Sequence, residues 1–513
     1  MVVILNIKVR LVLFLIIWLL VIIAFVHIFY HKNLAINPDQ ANLSPNQQQT
    51  LEILPSFHEQ SQPSTTKTST AIPVQQFKDV ETRIHQEFTV DPDEKFLAYF
   101  THSGFHNQRV ALKNALLLAK LLNRTLLMPP VLFGPPLSWS RFDKMYKKLN
   151  IFVKTGLKHC MEIPNEIPLP AECLNYFSFT TVSWDFLFNM NPLRKWHKII
   201  YRWESSYEWL RQNLHVNLDE DVHFIKDTTL FDYQIHDSSD NQPLSSVFKR
   251  KLDVEELAAV EKRVIHLGSL FGSARMAIEK PDNLRHAEFI KRYLVPHNPI
   301  ILRTADRIIE QLGGVGNFIG LHIRVSDGFF MKTAHQNIDH MYRLIIESDT
   351  TNSTSKELDI IEEDAHDQDT LTDNTVTSKE QHSYDNEAGS EFHQQLTNHI
   401  ECHGPLHPTN ARINTVIFMA TDARSPRKNP LLQKFFRTFP CVFLLDDFEK
   451  DLAELKAVRN VEDKTPLSRF LVGILDAVIS AKGKEFYGTP KSTFSKYIKD
   501  TLRPVYFDEE LNS

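Results

Sequence analysis

His322, Arg324 and Asp327 lie close together in the run Asn317–Gly328, NFIGLHIRVSDG. A guanidinium stays protonated and donates paired hydrogen bonds from a planar fork, which suits a phosphate. His322 and Asp327 are placed to orient that fork. A competing reading makes Arg324 and Asp327 a structural ion pair and His322 a satisfied core residue. Two further stretches offer anion chemistry. In Gly488–Ser495, GTPKSTFS, Ser492 is a good helix N-cap, and free N–H groups, hydroxyls and Lys491 surround it. Helix capping alone is the alternative there. In His102-Ser103-Gly104-Phe105-His106, a glycine turn puts backbone N–H groups and the positive end of a helix at a strand tip.

These groups need rigid elements to carry them. Phe318, Ile319, Leu321 and Ile323 form an apolar run with the length of a buried strand, and ligands of open α/β sheets sit beyond the carboxyl ends of such strands. Phe96–Thr101 reads as a strand. Leu112, Ala115, Leu116, Ala119 and Leu122 then recur at helical spacing, and Thr125–Met128 is a second strand stopped by Pro129-Pro130. Strand, glycine turn, helix and strand make the opening unit of a Rossmann-like sheet. Buried strands are also expected at Thr415–Ala420, Cys441–Leu445 and Glu485–Tyr487. A helix at Leu467–Ser480 carries Asp476 beside its apolar face. Between Ser138 and Phe289 the chain is aromatic-rich and irregular. There Ser183-Trp184-Asp185 and Trp203-Glu204 read as packed core or as an acceptor cleft, and Leu267–Arg275 reads as a turn between helices. Gly313-Gly314-Val315-Gly316 precedes a strand and lacks dinucleotide-loop spacing. Asp219-Glu-Asp221 and Asp367-Gln-Asp369 are solvated acid clusters rather than metal-holding triplets.

The 513 residues suffice for an anchor and a two-domain body, and 42% apolar residues suffice for a large core. The net charge of −6 hides an asymmetry. Glu347–Glu401 holds 15 acids and two lysines, so the rest of the chain is mildly basic, with 55 basic against 48 acidic residues. That balance suits an anionic ligand and is too weak for nucleic acid. Residues 347–405 are expected to be a disordered acidic insertion. Leu11–Tyr30 has the length and apolarity of a membrane span, preceded by Lys8 and Arg10 and followed by no A-x-A cleavage pattern. Residues 1–10 are then a short cytosolic tail, 11–30 an uncleaved signal-anchor, and 31–93, rich in Gln, Ser, Thr, Asn and Pro, a flexible stem before a lumenal body. Asn352 is the better glycosylation candidate. Cys160, Cys173, Cys402 and Cys441 suit two disulfides in such a compartment, with Cys160–Cys173 closing a local loop. Zinc is not expected, because no C-x-x-C or clustered histidine spacing occurs.

Four blocks, SGFHNQRVALKNALLLAKLLNRTLLMPP, HIRVSD, FMATDARS and KSTFSKYI, occur in the order seen in the GDP-fucose protein O-fucosyltransferase family, which this chain resembles from about Glu94 to Val505. The resemblance implies a GT-B-like α/β fold with two Rossmann-like domains, 94–300 and 301–513, and a donor cleft between them. It implies inverting, metal-independent transfer of fucose from GDP-fucose to Ser/Thr of a protein, with no cofactor, in a single-pass type II protein of the Golgi or ER membrane. A glycan acceptor, or a scaffold that has lost turnover, are the other readings. By position, Arg324 would bind the β-phosphate and stabilise the leaving GDP, while His322 and Asp327 would hold the strand end or touch the donor. Gly104 and Asn107 match the glycine turn and an asparagine near the phosphates and fucose. Asp422 and Asp476 match acidic positions by guanine and ribose, and Ser492, Thr493 and Phe494 match the phosphate-binding helix start. Where some members carry a glutamate base, this chain has Ser103. Either His102 or His106 takes that role, or the mechanism needs little base help.

Overall fold

The apolar runs become parallel strands of two sheets. In this computed structural model, which describes residues 77–164, 167–238, 244–347 and 400–509, the strands that bear on the site are β1 (Lys78–Val80), β2 (Phe96–Tyr99), β3 (Thr125–Met128), β4 (Ile199–Tyr201), β5 (Val222–Ile225), β6 (Val264–Leu267), β7 (Ile319–Ile323), β8 (Ile417–Thr421), β9 (Val442–Phe443), β10 (Val458–Asn460) and β11 (Glu485–Gly488). The helices that bear on it are α1 (Phe105–Leu121), α2 (Pro299–Gln311), α3 (Gly328–Glu347), α4 (Ser468–Ala481) and α5 (Thr493–Tyr497). The first sheet has the order β4-β3-β2-β6-β5 and the second β9-β8-β7-β11. Every neighbouring pair in both is parallel. The protein is thus a mixed α/β fold with two parallel sheets.

Parallel sheets are covered on both faces, so their strands read as continuous apolar runs. All of β2 and all of β7 are buried. On β7 the alternation of side chains decides what reaches the site. Ile319, Leu321 and Ile323 pack with Ala334, Ile338 and Met341 of α3. Gly320 and His322 face the other way, towards α4 and α5. A Cβ on Gly320 would lie 2.1 Å from the Ser480 carbonyl oxygen, so only glycine lets the end of α4 press onto the strand. A second, larger core joins α1, α2, α4 and β8 through Leu112, Ile301, Ile308, Leu471, Leu475 and Phe418.

Several boundaries differ from those the composition suggests. Residues 77–93 belong to the folded body rather than to the stem. Lys78–Val80 pair in parallel with Val458–Asn460, and buried Thr82 donates to Asn460 at 2.8 Å. A polar composition hides such an attachment because backbone groups and one hydroxyl make it. The acidic insertion is also shorter than expected at its distal end. His403 donates its backbone N–H to the Pro440 carbonyl, and Cys402 is bonded to Cys441. The other disulfide, Cys160–Cys173, closes the local loop expected of it.

In the irregular middle, β4, β5 and β6 are strands that periodicity does not reveal. Leu267 ends strand β6, so Leu267–Arg275 follows a strand and does not join two helices. Trp184 is fully buried, and Asp185 is paired with Arg194 and Tyr201. Trp203 lies under the Arg83 guanidinium. These are structural contacts rather than the lining of a cleft. Among the described residues no helix is long and apolar enough to cross a membrane. The expected anchor Leu11–Tyr30, the candidate Asn352 and Asp367-Gln-Asp369 lie outside the described residues.

Candidate functional site

The carboxyl ends of β2, β7 and β8 open onto one cavity of about 450 Å3. Gly104, His106 and Asn107 line it from the start of α1, and His322, Arg324 and Asp327 from the end of β7. Asp422 comes from the tip of β8, Asp476 from α4, and Thr493 and Phe494 from the start of α5. The structure therefore brings together residues read from four separate blocks of sequence. Ser492 lies just beneath the surface, 1% exposed, and caps α5 by accepting from the Ser495 N–H at 3.4 Å.

Arg324 is both paired and available. Its Nη2 donates to Asp327 Oδ2 at 2.6 Å, and its Nε lies 3.9 Å from Asp422 Oδ2. The guanidinium sits 4.4 Å from the centre of the Phe330 ring. Its Nη1 makes no hydrogen bond among the described residues, and the side chain is 29% exposed. The ion-pair reading and the anion-site reading are therefore both compatible with this geometry. Asp422 lines the cavity and also braces the turn beside it. Its carboxylate accepts from the N–H groups of Val325 and Ser326, at 2.8 and 3.4 Å, and so folds the turn that carries Arg324. Thr489, which the motifs do not single out, clamps the same strand end. Its hydroxyl accepts from the Arg324 N–H at 2.9 Å and donates to the His322 carbonyl at 3.1 Å.

The histidines of the site are neutral. His322 is 5% exposed, is bonded through Nδ1 to Ser495 Oγ at 2.7 Å, and stacks on Phe494. Burial, and then the Arg324 charge, push it down to about 3. His106 meets Phe494 edge-on and packs beside Tyr497. Burial, followed by Arg109, His322 and Arg324, holds it well below the usual histidine range, and its Nδ1 is buried without a partner. Such a ring gives little driving force for proton abstraction near neutral pH. His102 is the clearer correction. It is 3% exposed, does not line the cavity, and has Nδ1 on Ser103 Oγ at 2.8 Å and Nε2 on Ser269 Oγ at 2.7 Å. With both nitrogens engaged behind the loop, it cannot reach an acceptor hydroxyl as a base.

Two features fit an anion and a nucleobase. Gly104 opens α1 with no side-chain cap and no acid in the first turn, so the N–H groups of Phe105 and His106 remain open. Its φ of −74° is ordinary, and a Cβ there meets nothing within 4 Å. Neither backbone nor packing demands glycine, and the space in front of it is open towards the cavity. On the opposite wall, Asp476 Oδ1 is buried with no hydrogen-bond partner. Burial, and then Asp446, lift this carboxyl to about 7. An orphaned acceptor of this kind suits the N–H edge of a base.

Sequence reading also missed the scaffold behind the first loop. Gln108 donates to the carbonyls of Ser103 and Leu132 and accepts from the Leu132 N–H. Arg109 is 5% exposed and lies 3.8 Å over Tyr497, and burial lowers it to about 10. The only signal for either was the polar N-Q-R within an otherwise apolar helix. Among the described residues only His159, Cys160 and Cys173 cluster with metal-ligand spacing, and both sulfurs are in a disulfide.

Residues 96–503 match the family described as GDP-fucose protein O-fucosyltransferase. The chain belongs to this family. A curated relative, O-fucosyltransferase 30 of Arabidopsis thaliana, is 62% identical over 39 residues, a match that spans 8% of this chain and 8% of that protein. The chain is also similar to crystal structures of POFUT1. For the apo form the identity is 11%, covering 82% of this chain and 97% of that one at a TM-score of 0.34. For the GDP-fucose complex in its second crystal form the values are 12%, 81%, 96% and 0.32.

Proposed function

We propose that this member of the family transfers fucose from GDP-fucose to Ser/Thr of a protein acceptor, with inversion and without a metal, on a GT-B-like body. The observation that carries the reading is the single cavity in which Arg324, the open start of α1, the capped start of α5 and the orphaned carboxyl of Asp476 meet. Arg324 and the Phe105–His106 N–H groups would cradle the diphosphate. Asp476 would take the N–H edge of the base. Asp327, Asp422 and Thr489 hold Arg324 in place, so its charge is ready where negative charge develops as the glycosidic bond breaks. Because His322 and His106 are neutral, they add no competing positive charge elsewhere in the cavity. With no basic side chain at the first loop, bond breaking to the leaving diphosphate runs ahead of acceptor deprotonation. Anchoring through residues 11–30 with a lumenal body belongs to the same proposal, and the two disulfides support an oxidising compartment.

The test incubates the full-length protein with GDP-[14C]fucose and a secretory-pathway protein extract, with and without EDTA. The proposal expects protein-bound label that mild alkali releases, unchanged by EDTA. Alkali-stable label that a glycosidase removes would move the acceptor to a glycan. GDP binding with neither label transfer nor GDP release from the donor would mean a scaffold.

A further inference from the structure

The loop behind the cavity contains a hydrogen-bond chain whose direction the structure determines. Ser269 is 1% exposed, and its Oγ accepts the Phe271 N–H at 3.2 Å. Its own hydroxyl proton is buried and needs an acceptor. The acceptor in reach is His102 Nε2 at 2.7 Å. His102 stays neutral at physiological pH, held down to about 4 by burial and then by Arg275 and Lys148. A neutral imidazole that accepts at Nε2 carries its proton on Nδ1. That proton then goes to Ser103 Oγ, 2.8 Å away. Ser103 has accepted, so its own hydroxyl proton is left to donate, and Ser103 lines the cavity. The residue is fixed in an unusual conformation, with φ of 67°. Its N–H donates to the Leu137 carbonyl at 2.7 Å, and its carbonyl accepts from Gln108 Nε2 at 3.1 Å.

We infer that Ser103 is a hydrogen-bond donor to the diphosphate of the sugar nucleotide, polarised through Ser269 and His102, and not a base acting on the acceptor. The inference rests on the donor assignment proposed above and adds a specific role at the first loop. Each link in such a chain strengthens the next, so the terminal hydroxyl is a better donor than an isolated serine. It stands immediately before Gly104 and the open N–H groups of α1, on the side of the cavity where negative charge is favoured. The position thus has donor polarity where a carboxylate base would be an acceptor.

Two measurements test this. In the full-length protein labelled with 15N-histidine, long-range 1H–15N correlation reads the His102 tautomer, its signals assigned with His102→Gln. The expected result is a proton on Nδ1; a proton on Nε2 overturns the inference. Calorimetric titration with GDP, and separately with inorganic pyrophosphate, then compares wild type with Ser103→Gly and Ser103→Glu. Glycine tolerates the left-handed backbone, so Ser103→Gly is expected to keep or raise the melting temperature while weakening both ligands about tenfold. Unchanged affinity for both ligands would overturn the inference. Ser103→Glu is expected to weaken both further without raising turnover, and a gain in fucose transfer would show a base position and overturn it. If wild type binds pyrophosphate but not GDP, the nucleotide assignment fails while the Ser103 donor stands or falls on the pyrophosphate arm. If it binds neither, the inference falls.

Discussion

Asp476→Asn removes a charge that the folded protein holds in an unfavourable place. The carboxyl lies on α4 with Oδ1 buried and unpartnered, and burial and Asp446 lift it from 3.8 to about 7. That gap corresponds to about 4 kcal/mol, an upper bound because the cavity admits water. The folded-state value is raised, so the associated stability is present below pH 4, where both states are protonated. It is lost as pH rises towards about 7, because the unfolded chain ionises first. Asparagine keeps the shape and does not titrate, so the variant is expected to match wild type near pH 4 and to exceed it by up to about 4 kcal/mol at pH 8. Urea unfolding at the two pH values measures this. Ligand binding supplies the functional half of the prediction. If the base of GDP donates to this carboxyl, binding drives its ionisation, and at pH 6 wild type releases about 0.9 proton more than the variant. Calorimetry in buffers of different ionisation enthalpy gives that number, and subtracting the variant cancels the phosphate's own titration. Equal proton release by the two proteins would refute the assignment. Loss of an apparent pKa near 7 from the turnover profile in the variant, with binding intact, would recast Asp476 as a catalytic base.

Gly104→Ala is expected to leave the melting temperature within about 1 °C, since the φ is ordinary and the new methyl meets no protein atom, while weakening GDP binding at least tenfold by filling ligand space; unchanged affinity would show that the space is not used. His322 titrates at about 3 when folded and near 6.5 when unfolded, so protons bind the unfolded chain first as pH falls, and stability drops from pH 6.5 downwards. His322→Gln is expected to reduce the loss between pH 6.5 and 4 by about 3 kcal/mol, read from urea unfolding; an unaltered acid limb would mean that the ring is already charged in the folded state.

The parts of this fold that were legible in the sequence are those with long local signals. The seventeen residues of α1 carry enough periodic leucine and alanine to declare a helix, and the runs that form β7 and β8 are too apolar to lie anywhere but in a core. β4, β5 and β6 are three or four residues each, and they are strands only through their neighbours: β4 beside β3, β6 beside β2, and β5 beside β6. A pairing that depends on residues 42 to 168 positions away leaves no local periodicity to read. β1 is hidden for the same reason, its partner lying at Val458–Asn460. At the site, motif spacing places the groups in one cavity, but side-chain direction decides their roles. His102 and His106 are four residues apart in one loop-to-helix turn. Packing turns the first away onto Ser269 and buries the second beside Phe494 and Tyr497. Asp422 looks like a ligand residue and is also the brace of the Arg324 turn, a distinction that depends on two backbone N–H groups.

In the proposed function Arg324 and its neighbours form a guanine nucleotide diphosphate site. Its most direct test is the thermal shift of the full-length protein with GDP, GDP-fucose, UDP and EDTA, beside Arg324→Ala. A ligand that binds only the native state raises apparent stability by mass action. The expected result is a shift with GDP and GDP-fucose, little with UDP, no change with EDTA, and a much smaller shift in the variant. An equal shift with UDP, a shift abolished by EDTA, or a variant that responds like wild type would contradict it.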